Sequence, residues 1–266
     1  MNYALELSGV TKTYPLFTLD NITLRVPRGT IMGLIGENGA GKTTAMKVLM
    51  GITKPDGGTV SLLGETEPAR MQKAKERVGV VLDGGFFPDI YKAKEIAMVC
   101  KNIFASWQGD VFDAWMRKFA LPTNKKYKEL SKGMKMKLSI AVALSHGAEL
   151  LVLDEATSGL DPVVRSELLD ILLDFMQDEN HAILFPTHIT SDLEQIADDI
   201  TLLHKGRVVL QQNQDEILAS YVALRSGAAA FDAPANGIMW ASARDASATR
   251  CTSATGPPTS TRTRMR

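Results

Sequence analysis

The sequence predicts an α/β fold: a parallel sheet covered on both faces, an antiparallel β patch at its N-terminal side, and an inserted α-helical subdomain. Three observations carry this reading. Short apolar runs alternate with amphipathic segments along much of the chain. The opening holds strand-like runs joined by turns, with little room for helices. Residues from about 88 to 130 lack strand-like runs altogether.

Taken in order, residues 3–10, 22–26 and 30–35 follow one another closely, and residues 60–63 follow a Pro55-Asp56-Gly57-Gly58 turn. Together they predict the antiparallel patch. Residues 31–35, 78–82, 150–153 and 182–185 are apolar at nearly every position, the pattern of parallel strands buried on both sides. Residues 44–50 and 163–176 carry helical spacing, and in the second Val164, Leu168, Ile171, Leu172 and Phe175 share one face. Strands alternating with helices make an α/β domain. Residues 93–103 and 111–119 are the helices expected in the insertion, which spans about 88–147, and Pro122 closes the second.

Composition narrows the function. The 266 residues contain 30 Lys plus Arg and 30 Asp plus Glu, a net charge of zero, which gives no basis for nucleic acid as a partner. Two cysteines, Cys100 and Cys251, make no disulfide framework or metal cluster. No run reaches the roughly 18 apolar residues of a membrane span. Composition breaks after Arg225. Residues 226–266 contain no Leu, Val, Lys or Glu, and five arginines against two aspartates give a net charge of +3. Such a segment builds no core, so the folded domain is expected over 1–225, followed by a disordered tail. Both a natural flexible tail and a shifted reading frame fit that break.

The strongest local signal is Gly36-Glu37-Asn38-Gly39-Ala40-Gly41-Lys42-Thr43, followed by Thr44. It matches the phosphate-binding loop G-x-x-x-x-G-K-[ST], with a strand before it and a helix after it. Glycines let the backbone curl so that N–H groups point at phosphate oxygens, and the helix start favours an anion. Lys42 then reaches the β- and γ-phosphates, and the Thr43 hydroxyl ligates Mg²⁺. A second signal is the apolar strand 150–153 ending in Asp154 and Glu155. Asp154 suits Mg²⁺, and Glu155 suits orientation of an attacking water. The ligand so implied carries β- and γ-phosphates with Mg²⁺.

With these two motifs come Leu130-Ser131-Lys132-Gly133-Met134 before a helix, Ser158-Gly159-Leu160-Asp161, and Thr187-His188 after a strand. In that order they resemble the signature, D-loop and switch histidine of ABC transporter ATP-binding subunits. The resemblance runs from about residue 5 to 220. It implies a P-loop NTPase core in which Tyr14 stacks on adenine, Glu155 and His188 are catalytic, and Thr43, Asp154 and Asp83 surround Mg²⁺. It also implies a dimer, homo- or heteromeric, in which Ser131 and Gly133 complete the partner's ATP site and Asp161 couples the two. A separate transmembrane permease subunit and a peripheral place on the cytoplasmic membrane face follow from the same resemblance. Several positions depart from the family pattern, among them Met134–Lys135 at the end of the signature and Ala156 after Glu155, where proline is usual. Asp83 stands where a glutamine is usual, and Lys132 replaces a signature glycine. These departures resemble a subgroup of bacitracin and related peptide exporters. A soluble ATPase driving a cytosolic assembly, and a nucleotide switch with weak hydrolysis, are the alternatives.

Overall fold

The computed structural model describes residues 2–83, 87–226, 240–242 and 249–254. Two compact units are present, residues 1–211 and 212–266.

In the first unit, β1 (Tyr3–Tyr14), β2 (Phe17–Pro27) and β4 (Gly57–Leu62) form an antiparallel sheet in the order β2-β1-β4. A second sheet has the order β5-β6-β7-β3-β8-β9. Its strands are β3 (Ile31–Ile35), β5 (Val78–Leu82), β6 (Leu150–Asp154), β7 (Ala182–Pro186), β8 (Asp199–His204) and β9 (Arg207–Asn213). The pairings β5–β6, β6–β7, β3–β7 and β3–β8 are all parallel. Residues 30–35, expected in the antiparallel patch as well as in the core, belong to the core sheet alone: β3 lies between β7 and β8 there. Its five residues are apolar or Gly, and both faces are covered.

Alternate residues of these strands serve two cores. Met32, Leu34, Leu150, Val152, Ala182 and Leu184 pack toward the β patch and α1 (Lys42–Leu49). Ile31, Leu151, Leu153, Ile183 and Phe185 pack on the opposite face, against helices. That period of two explains why the runs look uniformly apolar in sequence. A short α2 (Pro68–Ala74) leads into β5. Then α3 (Ala93–Ile103), α4 (Gly109–Lys118) and α5 (Lys132–Ser145) follow without an intervening strand, as the insertion predicts. Between β6 and β8 lie α6 (Pro162–Phe175) and α7 (Thr190–Ile196). No helix among the described residues is long and apolar enough to cross a membrane.

The second unit contains α8 (Gln214–Ser220) and an antiparallel sheet of β10 (Tyr221–Ser226), β12 (Thr249–Ala254) and β11 (Trp240–Ser242), in that order. Strands β11 and β12 fall where composition predicts a tail without regular structure. The rest of that expectation concerns residues outside the described ones.

One ion cluster ties the strand starts together. Glu149, just before β6, accepts from Arg28 at 2.9 Å and from Arg77 at 2.6 Å. Burial raises the Glu149 carboxyl, but the two arginine hydrogen bonds outweigh it and hold the group below its ordinary 4.5. A lowered carboxylate stabilises the fold above its unfolded value, and that stability is lost as pH falls through the folded value. Glu149→Gln should therefore lower the melting temperature at pH 7, by the equivalent of about 1–3 kcal/mol. Melting curves across pH should show the difference from wild type closing below the ordinary glutamate range.

Candidate functional site

The phosphate-binding loop joins the carboxyl end of β3 to α1. Two of its glycines are dictated by space. A Cβ on Gly36 would lie 2.5 Å from the Leu203 carbonyl oxygen. Gly41 has φ 113°, and a Cβ there would lie 2.8 Å from Cζ of Phe17. The turn between β8 and β9 braces the loop, since the Gly206 amide donates to the Ala40 carbonyl at 2.9 Å. Helix α1 has no acidic residue in its first turn, so its positive end is uncompensated. Lys42 is 8% exposed, and its Nζ donates to the Gly36 carbonyl at 2.5 Å and the Glu37 carbonyl at 3.4 Å. The result is a buried cation beside free helical amides, which is an anion site.

A cavity of about 620 Å³ opens here. Its lining includes Glu37, Asn38, Gly39, Gly41, Lys42, Thr43, Thr44, Asp83, Asp154 and Glu155. The acidic members arrive by continuation of the parallel ladder. The Asp83 amide donates to the Asp154 carbonyl at 3.0 Å, the Glu155 amide to the Pro186 carbonyl at 3.0 Å, and the Thr187 amide to the Leu34 carbonyl at 3.2 Å. Four strand ends are thus pinned side by side.

Glu155 adopts φ 51°, which costs a non-glycine residue about 1–3 kcal/mol. The turn is held by its own amide bond to Pro186 and by Ser158 N–H donating to the Glu155 carbonyl at 3.0 Å. His188 Nδ1 donates to the Glu155 carboxylate at 2.5 Å. Arg165 of α6 anchors the following helix through the buried Asp192 and through Ser191 at 2.6 Å. The pair of Glu155 and His188 is therefore fixed from both sides.

Burial pushes the Asp154 carboxyl upward, the charges of Glu155 and Asp83 add to that, and Lys42 opposes it. Such a group is relieved by a cation. Among the described residues, no cluster of three His, Cys, Asp or Glu side chains could hold a metal alone. One carboxylate plus the Thr43 hydroxyl fits Mg²⁺, which keeps waters and takes substrate phosphates as its other ligands.

Other site residues lie elsewhere. Ser131 caps α5 by accepting from Met134 N–H at 3.3 Å, and Asp161 caps α6 by accepting from Val164 N–H at 3.0 Å. Gly133 lies against Val164. None of Ser131, Gly133 and Asp161 lines the cavity. Asp83 does, and its carboxylate is paired with Lys132 Nζ at 2.7 Å, an opposite charge from the same chain. Tyr14 also does not line the cavity; Lys12 Nζ sits 5.9 Å from its ring centre. Its cross-strand neighbour Phe17 does line it, packed at Gly41. Phe17 lies outside the strands the sequence predicts and carries no sequence signal, and the bracing by Leu203 and Gly206 carries none.

A family model described as "ABC transporter" matches residues 19–158. The chain is 36% identical to the bacitracin transport ATP-binding protein BcrA of Enterococcus faecalis, over 82% of this chain and 71% of that protein. It is 35% identical to the Nod factor export ATP-binding protein I of Burkholderia thailandensis, over 78% of this chain and 70% of that protein. Among solved structures, an ATP-binding subunit of an ABC transporter superposes with TM-score 0.75 at 26% identity, covering 81% of this chain and 92% of that one. CbiO1 of Clostridium perfringens, described as part of an ABC transporter complex, gives 0.69 at 25% identity, with coverage of 82% and 92%.

A raised carboxyl weakens the fold as pH rises through its two values, because the folded state then holds the proton longer than the unfolded one. Asp154→Asn should therefore raise the melting temperature at pH 7 in chelator-treated buffer. The same substitution should remove the stabilisation that wild type gains from Mg²⁺ with nucleotide. Differential scanning fluorimetry reads both.

Proposed function

The chain belongs to the ABC transporter family, as an ATP-binding subunit that hydrolyses ATP to power transport, and on that premise we propose how its residues divide the work. Lys42 and the first amides of α1, on Thr43 and Thr44, take the β- and γ-phosphates. Gly36 to Gly41 supply the curl that lets them approach. The base lies at the tip of the β1–β2 hairpin, where Phe17 lines the cavity and Leu16 stands fully exposed. Tyr14, the aromatic expected to stack there, is the cross-strand neighbour of that position.

Thr43 and Asp154 hold Mg²⁺, which when bound offsets negative charge on the phosphate oxygens. Glu155 orients a water toward the γ-phosphorus and takes its proton as the bond to the ADP oxygen breaks. His188, whose ring is exposed, holds the Glu155 carboxylate through Nδ1 and would meet the γ-phosphate once nucleotide binds. Little else is needed, because phosphoryl transfer is accelerated mainly by positioning and electrostatics.

Ser131, Gly133 and Asp161 act on a second ATP-binding subunit, identical or different. Their absence from the cavity of their own chain supports this. A separate transmembrane permease receives the work at the helical insertion. There an apolar groove of about 540 Å³ is lined by Phe87, Pro88, Tyr91 and one side of α3, and Ile90, Met98 and Ile103 are exposed around it. On this reading the chain sits peripherally on the cytoplasmic membrane face. The bacitracin transport relative supports a transporter, and the Nod factor export relative supports export as its direction. They also favour transport over cytosolic assembly or a weakly hydrolysing switch.

The observation that carries this reading is that Glu155, which lines the cavity with Lys42 and Thr43, is held by His188. Glu155→Gln should lower ATP turnover by about 100-fold or more, the size of a lost general base, while Mg²⁺-ATP still binds and promotes dimerisation. Unchanged turnover in that variant would remove the assignment.

A further inference from the structure

Two of the positions at which the chain departs from the family pattern touch each other. Lys132 Nζ lies 2.7 Å from Asp83 Oδ1. Asp83 follows β5 and lines the cavity with Asp154 and Glu155. Lys132 begins α5, in the helical insertion, and its side chain also runs along Gly159 at 3.3 Å from where a Cβ would stand. Each charge is awkward alone. Asp83 places a fourth carboxylate, beside Glu37, Asp154 and Glu155, at a cavity meant for polyphosphate. Lys132 places a cation at the positive end of a helix that has no acid in its first turn. Paired, the two offset both problems.

We propose that Lys132 is a positioning residue for nucleotide binding: it masks the charge of Asp83 and so lets an aspartate stand at the rim of the phosphate site. Two further consequences follow. The masking links the first turn of α5 to the nucleotide cavity, so occupancy of one and the position of the other are coupled, and such coupling is reciprocal. It is also sensitive to salt, because the side chains are 42% and 45% exposed.

This inference rests on the reading of the cavity as a Mg²⁺-ATP site, and the test separates the two. Binding of Mg²⁺ with a non-hydrolysable ATP analogue is titrated into the full chain as wild type, Lys132→Gln, Lys132→Arg, Asp83→Asn and the double variant Asp83→Asn/Lys132→Gln. Melting temperatures are recorded alongside. Lys132→Gln should weaken binding about three- to fivefold, the range open to a half-exposed pair. Lys132→Arg should bind like wild type. The double variant should recover the affinity that Lys132→Gln loses, and the loss should shrink at high salt. A merely structural lysine would move the melting temperature without this rescue. If Lys132→Gln costs the same affinity with and without Asp83→Asn, or costs none at all, the inference is overturned and the nucleotide site is left standing. A wild-type chain that binds no nucleotide overturns the site itself, and the inference with it.

Discussion

The site depends on one constraint: β5, β6, β7 and β3 run in the same direction in adjacent places. Parallel strands deliver their carboxyl ends to one edge of the sheet, and ligands bind there. In this chain the ladder does not stop where the strands do. The hydrogen bonds from Asp83 to Asp154, Glu155 to Pro186 and Thr187 to Leu34 carry the register one residue further. Side chains from four distant stretches of sequence are thereby set in a row, and the loop that binds phosphate is the last member of that row.

The row is electrostatically unbalanced on its own. Lys42 is buried among carbonyls, Asp154 is pushed toward its neutral form, and Glu155 sits in a backbone conformation that costs free energy. Each of these is a local penalty that the surrounding structure sustains. Polyphosphate with a divalent cation would answer the first two together, the anion meeting Lys42 and the helix start and the cation meeting Asp154. The third accompanies the contact of the Glu155 carboxylate with His188, which under the proposed function would spare reorganisation at the moment of reaction. Strain and poor solvation of this kind concentrate at functional sites.

Much of this is legible in the sequence where the signal is local. The loop from Gly36 to Thr43 is contiguous, so its pattern of glycines, lysine and threonine can be read without knowing what packs around it. The acidic pair Asp154–Glu155 is contiguous too, at the end of an apolar run. Strand β3 reads partly as a member of the β patch, because an apolar run does not say which sheet a strand joins. Strands β8 and β9 leave no clear run, since His204, Lys205 and Gly206 interrupt the pattern. What escapes is long-range: the Phe17 ring at Gly41, the brace from Gly206, and the pairing of Asp83 with Lys132. Each joins residues far apart in the chain, and Asp83 and Lys132 read separately as two defects, when in space they form one ion pair.

The central claim is that the row of strand ends is half of a catalytic site, and that Ser131 and Gly133 belong to the other half on a second subunit. Mixing two defective proteins tests it most directly. Lys42→Ala disables the phosphate side, and Gly133→Asp disables the signature side. For a site shared between two copies of this chain, each variant alone should hydrolyse little ATP, and an equimolar mixture should regain turnover, because one of its two composite sites is intact. Wild-type turnover by the Gly133→Asp protein alone would contradict the account, since the site would then be complete within a single chain.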